Sequence, residues 1–230
     1  MARRLAHEIK NPLTPIQLAA ERLEHKLASH LPESDADMLQ RSTRTIVNQV
    51  QAMKHMVDSF RDYARLPPAN LMTLDLNELL QELLVLYEAS ATPIRAALAD
   101  GLTPVKGDPA QLRQIIHNLI RNAQDATEGL ADGRIDVRTR QIGKQVELVI
   151  ADTGPGFPPE IMANAFEPYV TTKPKGTGLG LPIVKKIIEE HGGKIALSNQ
   201  TTGGAEIRIV LQAADHGSAV ESESQKSVGA

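Results

Sequence analysis

The first 66 residues carry two apolar stripes at helical spacing with a short polar break between them, and this pattern constrains the fold most. Ile9, Leu13, Ile16, Ala20, Leu23 and Leu27 recur in alternating steps of four and three, which places them along one side of a helix. The segment His30-Leu31-Pro32-Glu33-Ser34-Asp35 interrupts the repeat, and Ser34 or Asp35 is suited to cap the helix that follows. Leu39, Ile46, Val50, Met53, Val57, Phe60 and Ala64 form the second stripe, which Pro67-Pro68 ends. Two amphipathic helices with a short connection make an antiparallel hairpin. A lone hairpin leaves part of its stripe uncovered, so a second copy is expected to complete a four-helix bundle.

After a linker at 67–72 the pattern changes. Asp75-Leu76-Asn77 is a cap ahead of an amphipathic helix over Glu78–Tyr87, and Asp108-Pro109 opens a stronger one carrying Leu112, Ile115, Ile116, Leu119 and Ile120. Ile94–Leu98 and Thr103–Lys106 are weak strand candidates; Arg134–Arg140 and Gln145–Asp152 alternate as strands around Gly143. Leu181–His191 reads as a helix, with Lys194–Ser198 and Ala205–Leu211 as strands after it. Strand pairs mixed with long helices predict an α+β chain. Its second domain, over 73–212, is an α/β sandwich with helices on one face of a mixed sheet. Residues 213–230, rich in Ser, Glu, Ala and Gly, are expected to be a disordered tail.

Composition narrows the function. Cysteine is absent, which excludes disulfides, thiolate metal sites and a cysteine nucleophile. The net charge of −3 argues against a nucleic-acid binder. No apolar run approaches the ~20 residues that cross a bilayer. Aromatic residues make up 3% and Trp is missing, so Leu, Ile, Val, Ala and Met are expected to build the core.

Four short motifs carry chemistry. In His7-Glu8-Ile9-Lys10-Asn11-Pro12 an imidazole nucleophile stands beside a carboxylate able to orient it and take its proton. Asn11, one turn on, shares the face of His7 and can place a water for hydrolysis. An ordinary solvated helix face has the same residue types, but Pro12 and Pro15 speak for something more specific. A proline inside a helix costs about 3 kcal/mol and kinks it. Asn118 and Asn122 lie four apart on the Asp108 helix, where neutral amides can hold Mg²⁺ or simply face water. Asp152, at a strand end before Gly154 and Gly156, can accept from an exocyclic amine such as that of adenine; an ordinary turn has the same residues. Lys173, Lys175, Gly176, Gly178 and Gly180 run into a helix as a phosphate cradle. No Gly-Lys-Ser/Thr closes this loop, and no βαβ unit with a ribose acid surrounds it.

Taken in order, His-Glu-Ile-Lys-Asn-Pro, Asn-x-x-x-Asn, Asp-x-Gly-x-Gly, Phe166-Glu167-Pro168-Tyr169 and Gly-Thr-Gly-Leu-Gly-Leu resemble the H, N, G1, F and G2 boxes of sensor histidine kinases. The resemblance covers nearly all of residues 2–211 and is nearest to the nitrogen-regulation (NtrY/NtrB-like) type. It implies a dimeric helical hairpin over 1–66 bearing the phospho-acceptor His7, with Glu8 as its base, and an ATP-binding sandwich of the Bergerat type. It also implies Asn122 as a direct Mg²⁺ ligand assisted by Asn118, and Asp152 as the adenine reader in a pocket shaped by Gly154 and Gly156. Lys173, Lys175, Gly176, Gly178 and Gly180 would belong to a lid and its phosphate contacts. The implied partners are a second copy and a response-regulator receiver domain whose aspartate takes the phosphoryl group. Six residues precede His7, where the family has a longer helix. The chain is therefore expected to be the cytoplasmic portion of a longer, membrane-anchored protein. The rival readings are a core that mainly dephosphorylates its regulator through Asn11, an ATP-sensing dimer without turnover, and another ATPase of the same sandwich type. The last has no His-bearing hairpin upstream.

Overall fold

The computed structural model describes residues 2–64, 67–173 and 176–214; the side chains of 2–8, 55, 59 and 61–64 fall outside that description. The described residues form two compact units. One takes those up to Pro67 together with Asn164–Ile183, the other Pro68–Ala163 and those from Val184 onward.

In the first unit, α1 (Ala2–Leu27) and α2 (Glu33–Ala64) are joined across a single 3₁₀ turn at Ala28–His30. Ser34 and Asp35 do not cap α2 as expected but lie inside its first turn. The Pro32 carbonyl instead accepts from the amides of Asp35 and Ala36, both at 2.9 Å. A proline, its φ already near the helical value, can start the turn ahead of a polar cap. α1 runs unbroken through Pro12 and Pro15. Their missing N–H groups deprive the Glu8 and Asn11 carbonyls of the usual helix donor.

The apolar stripes resolve into heptad rows. Leu13 and Ala20 on α1, and Thr43, Val50 and Val57 on α2, are buried. Ile9, Ile16 and Leu23 form a parallel row that stays 38, 47 and 53% exposed, matched by exposed Ile46 and Met53 on α2. A residue every seven positions on two adjacent rows is the pattern of a helix meant for two neighbours. Polar ties fix the antiparallel register. Lys10 meets Asp58 at 2.5 Å, Lys54 donates to Gln17 at 2.8 Å, and Thr43 donates to Glu24 at 2.6 Å.

The second unit is built on a five-stranded sheet of order β2-β4-β5-β7-β6. These are β2 (Ile94–Ala97), β4 (Ile135–Ile142), β5 (Gln145–Asp152), β6 (Lys194–Asn199) and β7 (Ala205–Gln212). β2 runs parallel to β4 and every other pairing is antiparallel, so the sheet is mixed. Alternation sets its inner face, with Ile135, Val137 and Thr139 on β4 and Ala205, Ile207, Ile209 and Leu211 on β7 all buried. The opposite face carries ion pairs: Arg140 to Glu147 at 2.5 Å, and Arg138 and Arg208 to Glu206 at 2.9 and 2.7 Å. Against the inner face lie α3 (Leu76–Val85) and α4 (Pro109–Thr127), with Leu79, Leu80, Leu83, Ile115, Leu119 and Ile120 buried.

Two short elements were not foreseen. β1 (Met72–Leu74) pairs antiparallel with β3 (Val105–Gly107), and α5 (Pro159–Met162) is one turn. α6 (Gly180–Glu190) opens within the first unit and ends in the second. Leu, Ile, Val and Ala make the apolar core; among the described residues no methionine is buried, and Met38, Met53, Met56 and Met72 are exposed. Ala213 and Ala214 still pair, donating to the carbonyls of Lys144 and Pro104 at 3.0 and 2.7 Å. The expected disordered tail from 215 on lies outside the described residues. Among the described residues no helix is long and apolar enough to cross a membrane.

Candidate functional site

α4 is the best-specified helix of the chain. Asp108 caps it, one carboxylate oxygen accepting from Ala110 and Gln111 N–H at 2.9 and 3.1 Å, and Pro109 fills the first position, which needs no N–H. Leu112, Ile115, Ile116, Leu119, Ile120 and Ala123 hold one face in the core. Asn118 and Asn122 sit on the flank of that face, half-buried, one above the other. Their amides therefore stand at the boundary between core and solvent.

Asp152 ends β5, the middle strand of the sheet, and is 8% exposed. Its Oδ1 accepts from the main-chain amides of Gly154 at 2.8 Å and Ala205 at 3.2 Å. Its carbonyl accepts from Gln200 Nε2 at 2.8 Å. The carboxylate is thus oriented by the protein's own donors. Gly154 brings the loop against α4: a Cβ there would stand 2.7 Å from the Ala126 carbonyl. That contact puts the end of the Asn118–Asn122 helix beside the Asp152 loop. Gly156 has φ +75°, and Asn199 clamps the following residue, accepting from Phe157 N–H and donating to its carbonyl, both at 2.8 Å.

Gly204 is one of three site residues with no signal in the sequence. Its φ is +93°, and a Cβ would fall 1.8 Å from the Asp152 carbonyl oxygen. The Gly203-Gly204 pair marks a turn before β7, but nothing local ties it to Asp152. Asn199 and Gln200 were missed for the same reason.

Within Asn164–Ile183 the described residues on either side of 174–175 meet at Tyr169 and Gly178. Tyr169 N–H donates to the Gly178 carbonyl at 3.0 Å, with Tyr169 at φ +70° and Gly178 at +64°. A Cβ on Gly178 would meet the Tyr169 backbone at 2.5 Å, so only glycine permits this closure. Lys173 N–H donates to Thr171 Oγ1 at 3.1 Å, and Gly176 N–H to the Lys173 carbonyl at 3.0 Å. Gly180 opens α6, with Pro182 in its first turn. Lys175 lies outside the described residues, as do the side chains of His7 and Glu8; Asn11 is exposed on α1.

Two family models match the chain in tandem. Residues 1–68 match the His Kinase A (phospho-acceptor) domain and 107–215 the histidine kinase-, DNA gyrase B-, and HSP90-like ATPases. The nitrogen regulation protein NtrY of Azorhizobium caulinodans is 40% identical over 93% of this chain and 28% of its own length. The chain belongs to the sensor histidine kinases of NtrY/NtrB type. The sensory histidine kinase/phosphatase NtrB of Rhizobium meliloti is 32% identical over 87% of this chain and 55% of its own. The structure of histidine kinase ThkA in complex with the response regulator protein TrrA superposes with a TM-score of 0.68 at 28% identity. It covers 93% of this chain and 61% of that one. The chain thus spans between about a quarter and a little over half of these curated relatives.

For a histidine kinase of this fold the donor set is informative. Among the described residues no three His, Cys, Asp or Glu side chains cluster as a metal site. α4 offers two neutral amides instead, which suit a magnesium ion whose main ligands are phosphate and water.

Proposed function

We propose that this histidine kinase core binds Mg-ATP and phosphorylates its own His7. The observation that carries the reading is the pre-set carboxylate of Asp152, held by the Gly154 and Ala205 amides at the end of the central strand. An acceptor fixed beforehand in a buried place can recognise an exocyclic amine without reorganising. Asp152 would read the adenine, with Gly154 and Gly156 shaping the pocket. Gly176, Gly178 and Gly180, with Lys173 and Lys175, would contact the phosphates. Asn122, assisted by Asn118, would hold Mg²⁺, which when bound neutralises charge on the phosphoryl oxygens.

In the transfer, a ring nitrogen of His7 forms a bond to the γ-phosphorus as the bond to the β-phosphate oxygen breaks, releasing ADP. Glu8 takes the imidazole proton. The phosphoryl group then passes to an aspartate of a response-regulator receiver. The residue 1–66 hairpin would pair with a second copy through its open heptad rows, the 67–72 linker joining it to the catalytic domain over 73–212. The whole chain would be the cytoplasmic part of a membrane-anchored protein. Asn11, exposed one turn past His7, supports a second activity, placing water for dephosphorylation of the regulator.

Incubating the protein with Mg-ATP labelled at the γ-phosphate, beside His7→Gln, tests the reading. Acid-labile, base-stable label is expected on the wild type and none on the variant. Equal label on both would overturn the assignment of His7. No label on either, with ATP still bound, would favour an ATP-sensing module without turnover.

A further inference from the structure

Three chain segments meet at Asp108. Its Oδ1 caps α4 through Ala110 and Gln111. Its Oδ2 accepts the N–H of Asn70, in the linker, at 2.9 Å. Its own N–H donates to Nε2 of buried His191 at 2.9 Å. The other ring nitrogen of His191 lies 2.8 Å from the Ile187 carbonyl. A carbonyl only accepts, so Nδ1 carries the proton and Nε2 is left as the acceptor that the Asp108 amide needs.

A helix cap requires one carboxylate oxygen; Asp108 engages both. Asp75, the cap of α3, provides the contrast. Its Oδ1 accepts from Asn77 and Glu78 N–H at 2.7 and 3.1 Å, and among the described residues its other oxygen holds no linker amide. The carboxyl of Asp108 is held below the usual carboxylate range, first of all by the Asn70 amide.

The linker gives this contact a purpose. Pro67 and Pro68 have restricted φ and stiffen the chain where it leaves the hairpin. Two residues later Asn70 is tied to Asp108, and β1 begins at Met72. We infer that Asp108 is a positioning residue for autophosphorylation, anchoring the linker at Asn70 so that the tether joining the catalytic domain to the acceptor hairpin stays short and stiff. The inference rests on the proposed transfer to His7. Freed from Asp108, the tether would extend to Leu71, and a longer, looser tether lowers the effective concentration of one module at the other.

Asp108→Asn separates the two roles. Asparagine is as good a helix cap as aspartate, with its oxygen in the Oδ1 place. The amide nitrogen that then replaces Oδ2 cannot accept from Asn70. With the full chain and labelled Mg-ATP, the maximal rate of autophosphorylation in Asp108→Asn should fall roughly one-and-a-half- to twofold, as the free tether lengthens from about five residues to about seven. KM for ATP should stay at the wild-type value, and Asp75→Asn should match wild type in both. Hydrogen exchange at the Asn70 amide should accelerate in Asp108→Asn alone. Wild-type rate and unchanged Asn70 exchange in Asp108→Asn would overturn the anchor and leave the kinase reading intact. A raised KM with an unchanged maximal rate would also overturn it, placing the effect in α4. A wild type that takes no label would remove the kinase reading itself, and the anchor with it.

Discussion

The hairpin and the sandwich treat their apolar residues in opposite ways. On α1 and α2 one heptad row is buried against the neighbouring helix while the next, with Ile9, Ile16, Leu23, Ile46 and Met53, faces solvent. In the sandwich, the apolar rows of α3, α4, β4 and β7 are buried within the same chain. The difference is one of completeness. The sandwich carries its own core, whereas the hairpin leaves a second apolar row open for a partner, which we take to be a second copy.

Three perturbations separate the two regions. Gly204→Ala should act on the sandwich alone, since the added Cβ collides with the Asp152 carbonyl at a φ that disfavours any side chain. The expected loss is on the order of 3 kcal/mol, read by thermal unfolding, with ATP binding lost and hairpin self-association retained. Equal loss in both regions would mean that they do not fold as separate units. Leu23→Glu should act on the hairpin alone by placing a charge on the open row. Dimer formation, followed by sedimentation over a concentration series, should weaken by about 2 kcal/mol per copy with ATP affinity unchanged. A dimer that survives would point to a different interface. The smallest effect is that of acid. Because the fold depresses the Asp108 pKa, its contribution is present above the ordinary value of 3.8 and lost as pH falls through the lower folded value. Acid unfolding of the sandwich should therefore lose a component in Asp108→Asn and keep it in Asp75→Asn.

What was legible in the sequence was mostly local. α4 was readable because its cap, its opening proline and its apolar face fall within 20 consecutive residues. The strand pair over Arg134–Asp152 was readable because β4 and β5 are consecutive and antiparallel around one turn. β1 was not, because three residues hold too little alternation to register as a strand. α2 starts at Glu33, ahead of the polar Ser34 and Asp35, because Pro32 can begin a helix without a polar cap. Of the candidate site, Asp152 and Gly154 were legible as a strand end with a glycine turn. Gly204, Asn199 and Gln200, which hold that turn in place, belong to a strand pair some fifty residues further along. Contacts of that separation have no signature in local composition. Methionine was expected inside by hydrophobicity, yet the exposed positions include Met53 on the open row of the hairpin, where burial awaits the partner.

The parallel pairing of β2 with β4 carries a consequence for synthesis. Ile94 pairs with Ile135, so β2 leaves the ribosome with no strand to join until α4 and the start of β4 have followed. Its neighbours form an antiparallel run that needs no such crossover between β4 and β5. During translation the nascent chain must therefore carry β2 as an unpaired strand while roughly forty further residues are added, the interval in which a strand edge is most open to mispairing. A pause in elongation within α4 would lengthen that interval, while one placed after β4 would let the crossover close first.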